Sequence, residues 1–151
     1  MGFAVNRLRR LTTPTSKRGL PLMFKLLFIA LGGAAGTLLR YVVSGISYRF
    51  SDGVFPLGTL IVNLSGAFII GFLWGLFEES NMPPSFRAPI FIGIIGGYTT
   101  FSTFALESFN LMRGGEYKIA LINILASNIF GIGLVFIGFI LAKLFIINIK
   151  G

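Results

Sequence analysis

Charged residues are almost absent from four long stretches of this chain, residues 24–48, 57–77, 86–110 and 117–147, and polar segments with glycine or proline separate them. Each stretch exceeds the roughly 20 residues that a helix needs to cross a hydrocarbon core about 30 Å thick. The pattern predicts four transmembrane helices with both termini on one side. The third stretch is irregular inside. It reads Gly96-Gly97-Tyr98-Thr99-Thr100 and then Phe101-Ser102-Thr103-Phe104. Two adjacent glycines, each about 1 kcal/mol less favourable than alanine in a helix interior, followed by two β-branched threonines, predict local unwinding and so a broken third helix. Irregular backbone at membrane depth is tolerated only where protein or a polar cavity covers it, which makes the break the candidate binding site.

Composition agrees with the pattern. Of the 151 residues 54% are hydrophobic and 12% charged, with a mean hydropathy of +0.85, so the expected fold class is all-α integral membrane. With neither cysteine nor histidine, disulfides, thiolate chemistry, imidazole general-base catalysis and the usual zinc or haem ligation are excluded. Five acidic residues remain, and of these Glu107 alone lies within a predicted span. One chain therefore cannot build a carboxylate dyad inside the membrane, and the reading is that this is not an enzyme.

The net charge of +8 is concentrated at one end. Arg7, Arg9, Arg10, Lys17 and Arg18 fall in a Thr-, Ser- and Pro-containing stretch, which divides the chain into a disordered basic extension, residues 1–22, and a four-helix transmembrane domain, residues 23–151. The extension suits lipid headgroups, or it is an upstream start before Met23; no nucleic-acid partner is expected. Beyond it the basic residues balance. Lys25, Arg87, Lys143 and Lys150 lie on the terminal side, and Arg49, Arg113, Lys118 and a snorkelling Arg40 lie on the other. The positive-inside rule then gives almost no orientation signal, as expected of a chain that inserts both ways and pairs antiparallel with itself, although a translated extension would bias the termini to the cytoplasm.

Polar positions inside the spans are few. In the first, Gly32, Gly36 and Arg40 share one face; the glycines suit close helix packing, and Arg40 must snorkel, pair, line a vestibule or attract an anion. Small-xxx-small spacing recurs at Gly71 and Gly75 and at Gly93 and Gly97. Asn63 sits six residues inside the second span, between Thr59 and Ala67, as a pore wall or as hydrogen-bonding glue between helices. Phe101 and Phe104, at i and i+3, meet on one face; they are core packing or, edge-on, a path for a small anion, with Ser102 and Thr103 adding hydroxyls. Glu107 caps a neighbouring helix, pairs with Arg40 or is solvated at the helix end. In the fourth span Asn123 and Ser127 form an i, i+4 polar stripe, with Asn128 beside it, which serves helix-to-helix hydrogen bonding or conduction equally well. An unwound third helix frees carbonyls, which suit a hard cation, and amides, which suit an anion.

Taken together, Gly32-Gly33-Ala34-Ala35-Gly36 through Arg40-Tyr41, Gly58-Thr59-Leu60-Ile61-Val62-Asn63, and the Gly96 to Phe104 string with Glu107 resemble the Fluc (CrcB) fluoride-channel family. The resemblance spans residues 24 to about 147, and its specific part is the GG-x-TTFSTF string. It implies an antiparallel, dual-topology homodimer in the bacterial inner or plasma membrane that passively exports fluoride and lowers its cytoplasmic concentration. It also implies a structural sodium ion at the dimer interface, held by the backbone carbonyls of Gly96 and Thr99. Along the anion path it implies Asn63, Phe101, Phe104, Ser102 or Thr103 and the polar face of the fourth span at Asn123 and Ser127; Arg40 matches the family's arginine. The basic extension and Asn123 depart from the family pattern. Two rivals stay open: a small dual-topology multidrug or cation exporter, which needs an embedded carboxylate that the first span lacks, and a non-conducting assembly protein.

Overall fold

A computed structural model describes residues 21–49, 53–80 and 83–150. The expected extension, residues 1–22, lies almost wholly outside these. The described chain is all-helical. Helix α1 (Leu22–Arg49) and helix α2 (Leu57–Glu78) are the first two spans. The third begins as α3 (Pro84–Ala88), widens into a π-helical segment (Pro89–Ile95), tightens again in α4 (Gly96–Tyr98), and resumes after two extended residues as α5 (Phe101–Arg113). The fourth is α6 (Tyr117–Lys150). Four helical segments are long and apolar enough to cross a membrane, Leu22–Ser47, Leu57–Glu78, Phe86–Arg113 and Tyr117–Ile149. Thirty-four-residue α6 carries apolar side chains on every side, as a helix bathed in lipid and protein does.

The π segment has a cause in the sequence. Pro89 has no N–H to donate and its ring presses on the preceding turn, so the helix is relieved there by the wider i→i+5 spacing. The wide spacing ends at Gly96, whose N–H makes an i→i−5 bond to the Phe91 carbonyl and also reaches that of Gly93.

Two helix pairs make the bundle, and small residues make both. Against α1, a Cβ on Gly93 would lie 2.9 Å from the Ile29 carbonyl oxygen and one on Gly97 2.6 Å from that of Gly33. In return a Cβ on Gly32 would lie 2.8 Å from the Pro89 oxygen, and one on Gly36 would overlap the Ile94 oxygen. The two small-xxx-small motifs therefore interlock backbone to backbone, one on α1 and one on the first half of span three. The α2–α6 pair is built likewise. Gly71 faces the Val135 carbonyl, Gly75 faces Ala142 and Phe139, and Gly138 faces the Phe68 carbonyl.

Polar groups close the ends. Arg87 donates through Nη2 to the carbonyls of Phe77 (2.7 Å) and Ser80 (2.9 Å) where α2 stops, the first of which also accepts from the Ser80 N–H and hydroxyl. Nearby, Lys143 Nζ binds Glu78 (2.7 Å) and Glu79 (3.1 Å), tying the end of α6 to that of α2. Replacing Arg87 by methionine is expected to cost about 1–2 kcal/mol, read as a lower unfolding temperature in detergent, because charge-assisted bonds to carbonyls are lost and nothing replaces them. Between α5 and α6 the chain turns on Gly115, at φ +84°, with Gly115 N–H on the Met112 carbonyl and Glu116 N–H on that of Leu111. This is a Schellman turn, and its left-handed position is one that glycine alone adopts cheaply.

Candidate functional site

The break sits two residues later than the glycines suggest. Gly96 and Gly97 stay helical, and the extended residues are Thr99 (ψ 156°) and Thr100 (φ −148°, ψ 118°). Of the two glycines only Gly97 is spent on close approach, where it meets the Gly33 backbone, while Gly96 is left exposed. The threonines do the unwinding because their side chains offer the backbone alternative partners. Thr99 Oγ1 donates to the Ile95 carbonyl at 3.0 Å, and Thr100 Oγ1 accepts from the Thr103 N–H at 3.2 Å, the usual role of a helix N-cap.

Asn63 closes the gap from the neighbouring helix. Its Nδ2 donates to the Thr100 carbonyl at 3.0 Å and its Oδ1 accepts from the Thr100 N–H at 2.8 Å. One side-chain amide therefore satisfies both backbone groups of an extended residue inside a span, where leaving either bare would cost several kcal/mol. A primary amide has two N–H donors, so one remains after this pairing. Of the two expectations for Asn63, glue and pore wall, the structure shows the first and leaves a donor for the second.

The same rearrangement takes the helical donors from the carbonyls before the break, those of Gly96 and Thr99 among them. In an unbroken helix the Gly96 oxygen would accept from residue 100 and the Thr99 oxygen from residue 103. Here the Thr100 N–H goes to Asn63 and the Thr103 N–H to Thr100 Oγ1.

A cavity of about 370 Å³ opens beside the break. Asn63, Thr99, Thr100 and Phe101 line one side, and Ser127, Asn128 and Gly131 of α6 line the other. The Ser127 hydroxyl oxygen is buried and has no hydrogen-bond partner among the described residues. Asn128 Nδ2 is turned back to the Ile124 carbonyl at 2.7 Å. Apolar walls from Ile95, Ile132 and Val135 complete an open site that is mostly apolar, with a few convergent donors.

A family model described as CrcB-like protein, Camphor Resistance (CrcB), matches residues 27–139. The chain is 49% identical over 128 residues to the fluoride-specific ion channel FluC of Parabacteroides distasonis, covering 85% of this chain and all of that one. It is 48% identical over 116 residues to the FluC protein of Thermococcus onnurineus, covering 76% and 93%, and 42% identical over 125 residues to that of Maridesulfovibrio salexigens, covering 82% and 99%. This chain belongs to the CrcB-like family. It is, accordingly, a multi-pass membrane protein whose relatives carry the name of an ion channel rather than of an enzyme.

Within this CrcB-like chain the expected site residues do not all converge. Asn63, Phe101 and Ser127 line the cavity, with Thr99 between them. Phe101 and Phe104 do meet, with ring centroids 5.7 Å apart and planes at 50°, yet Phe101 is 79% exposed and Phe104 only 9%. Ser102 and Thr103 are exposed on the first turn of α5, held to the cap by Thr100 Oγ1 at 3.3 and 3.0 Å. Asn123 parts from Ser127 although the two share a helix face. Buried to 1% exposure, it donates through Nδ2 to Ser108 Oγ at 3.1 Å, while Ser108 donates to the Phe104 carbonyl at 2.8 Å, so it ties α6 to α5 outside the cavity. Arg40 is half-buried on α1 and forms no ion pair with another described residue. Glu107 accepts from Thr59 Oγ1 at 2.7 Å, which fastens the first turn of α2 to α5, the first of its expected roles.

Sequence reasoning placed Thr100 and Tyr98 in the interrupted stretch but missed the cap role of the first and the anchoring contact of the second, and it passed over Ser65. For Thr100 a signal was present: a threonine directly before a helix, with a residue three positions on to receive the cap, is an N-terminus signature. For the Tyr98–Ser65 contact there was none, because only the packing of two helices puts residues 33 positions apart together.

Proposed function

We propose that the protein is a fluoride-selective channel through which fluoride leaves the cytoplasm passively. The observation that carries this reading is the cavity at the break, lined by Asn63, whose amide keeps one N–H beyond its bond to Thr100, by Ser127, whose hydroxyl has no partner among the described residues, and by Phe101. Fluoride is small and strongly hydrated, so a pore must replace its water with neutral donors and ring edges without trapping it on a fixed charge. The cavity lining carries donors and no charged side chain. The names of the FluC relatives support the same ion.

The channel is an antiparallel homodimer in the bacterial inner or plasma membrane, on this reading. Support comes from α5: Phe101, Leu106 and Phe109 are all more than half exposed along it, and Ser102 and Thr103 lie among them. Hydroxyls on a lipid-facing helix are costly, whereas against a second chain they complete a path. Arg40 serves the approach to that path, and Asn123 holds α5 and α6 at the spacing that the path requires.

The carbonyls of Gly96 and Thr99 are suited to a structural sodium ion at the dimer centre. Both are released from helical bonding, and oxygen is what a hard cation prefers. One chain offers two, short of the about six that such ions take, and a second copy would double the number. Bound there, the ion supplies fixed positive potential near the anion path.

Fluoride efflux from proteoliposomes, measured beside chloride, tests the function. Fast fluoride and negligible chloride release is expected; no fluoride release from folded dimers refutes the reading. Phe101→Ile and Phe104→Ile are expected to slow fluoride efflux at least tenfold while the protein stays dimeric by size-exclusion chromatography. If the rings serve packing alone, assembly will suffer and flux per dimer will not.

A further inference from the structure

Helix α2 contacts the break at three consecutive residues. Asn63 holds Thr100, Gly66 leaves room for Thr99, and Ser65 meets Tyr98. A Cβ on Gly66 would overlap Thr99 Cγ2 and lie 3.3 Å from the Tyr98 ring, so the ring and the extended residue are seated directly on that glycine. Tyr98 is the last helical residue before the chain straightens, and it is 7% exposed. Its hydroxyl lies 2.8 Å from Ser65 Oγ. Ser65 has one proton and two backbone acceptors in reach, Ile61 O at 2.7 Å and Val62 O at 3.1 Å. The serine proton therefore stays on α2, and the tyrosine O–H donates to Ser65 Oγ.

We infer that the Tyr98–Ser65 hydroxyl pair is a positioning device for the break, fixing where the first half-helix ends. Asn63 grips the chain after the extended peptide and Ser65 grips it before, so the peptide carrying the Thr99 carbonyl is clamped from both sides by one rigid helix. Without Ser65, the first half-helix would be free to slide or turn relative to Asn63, and the released carbonyls of Gly96 and Thr99 would lose their common setting. The pair acts through the backbone and does not itself touch an ion.

The hydrogen-bond directions make the two deletions unequal. Tyr98→Phe removes the lateral bond and strands nothing, since Ser65 keeps its bond to Ile61. Ser65→Ala leaves a buried tyrosine hydroxyl without its acceptor, the costlier of the two changes. Once the tyrosine hydroxyl is gone, removing the serine adds little. Ser65→Thr keeps the acceptor and should behave as wild type.

Hydrogen exchange on the full-length protein in lipid nanodiscs reads this directly. In Tyr98→Phe the amides of residues 99–103 are expected to exchange about fivefold faster, the scale of one ordinary buried hydrogen bond, with those of α2 and α6 unchanged. Ser65→Ala should exceed that, the double variant should match Tyr98→Phe, and Ser65→Thr should restore slow exchange. Unchanged exchange at 99–103 in Tyr98→Phe, or an acceleration spread evenly over all helices, overturns the inference. Its transport consequence rests on the sodium reading above: the sodium concentration for half-maximal fluoride efflux should rise several-fold in Tyr98→Phe. A wild type whose efflux ignores sodium would refute the sodium reading while the exchange result still decides the pair.

Discussion

Changing Asn63 to aspartate is expected to abolish fluoride efflux, by a factor of at least 100, while a weakened dimer still assembles. The physical reason lies in what one amide does at the break. Its oxygen accepts from the Thr100 N–H and its nitrogen donates to the Thr100 carbonyl, leaving one N–H over. An ionised aspartate keeps the first of these bonds, loses the second and has no donor left. It also sets a negative charge beside a cavity proposed for an anion, and at about 4 Å two like charges repel by about 4 kcal/mol even at an effective dielectric constant of 20. A factor of 100 in rate needs only about 2.7 kcal/mol, so repulsion by itself suffices. Efflux by a fluoride electrode, with dimer content checked on the same preparation, gives the answer. Transport at the wild-type rate would remove Asn63 from the ion path and leave it as a backbone clamp.

Gly36→Ala is expected to have the second large effect, on folding rather than on conduction. The added methyl would overlap the Ile94 carbonyl and lie 2.8 Å from the Tyr98 nitrogen, both of them backbone. Overpacking against side chains costs typically about 1–3 kcal/mol because rotamers can adjust; backbone in a helix has no such freedom, so the cost should reach or pass the upper figure. The first half of span three would be pushed off α1 and the break displaced with it. Gly45→Ala, nine residues along the same helix, is the control. Nothing lies within 4 Å of its Cβ position, and alanine is the better helix former, so thermal unfolding should be unchanged or slightly higher. Equal loss in both variants would mean that glycine matters in α1 for some reason other than close approach.

These two residues show how unevenly the sequence discloses the site. Four spans, their limits and an interruption in the third were readable, because uninterrupted hydrophobic length is a one-dimensional property with few rival explanations. The interlocking glycines were readable as spacing. Which glycines face which backbone was not, and neither was the exact place of the break within the stretch 96–100. Glycine has a low helix propensity, yet Gly97 packs on Gly33 and the pair stays helical, so of the residues expected to unwind only the threonines are extended. The polar stripe of α6 was open to both of its expected uses, helix-to-helix hydrogen bonding and an ion path, and only packing separates its members. Asn123 and Ser127 share a face, but α5 covers the first and the cavity reaches only the second.

The sequence by itself determined a four-span membrane protein, the family to which it belongs, and the set of polar side chains from which an ion path has to be made, since each of these depends on residue identity along the chain. Tertiary structure alone decided how those side chains are used. Asn63 spends two of its three hydrogen-bonding groups on the Thr100 backbone, Asn123 is committed to Ser108, and Ser127 is left uncommitted at the cavity. A buried polar group has few partners within reach, and which of them it meets is fixed by helices brought together from distant parts of the chain.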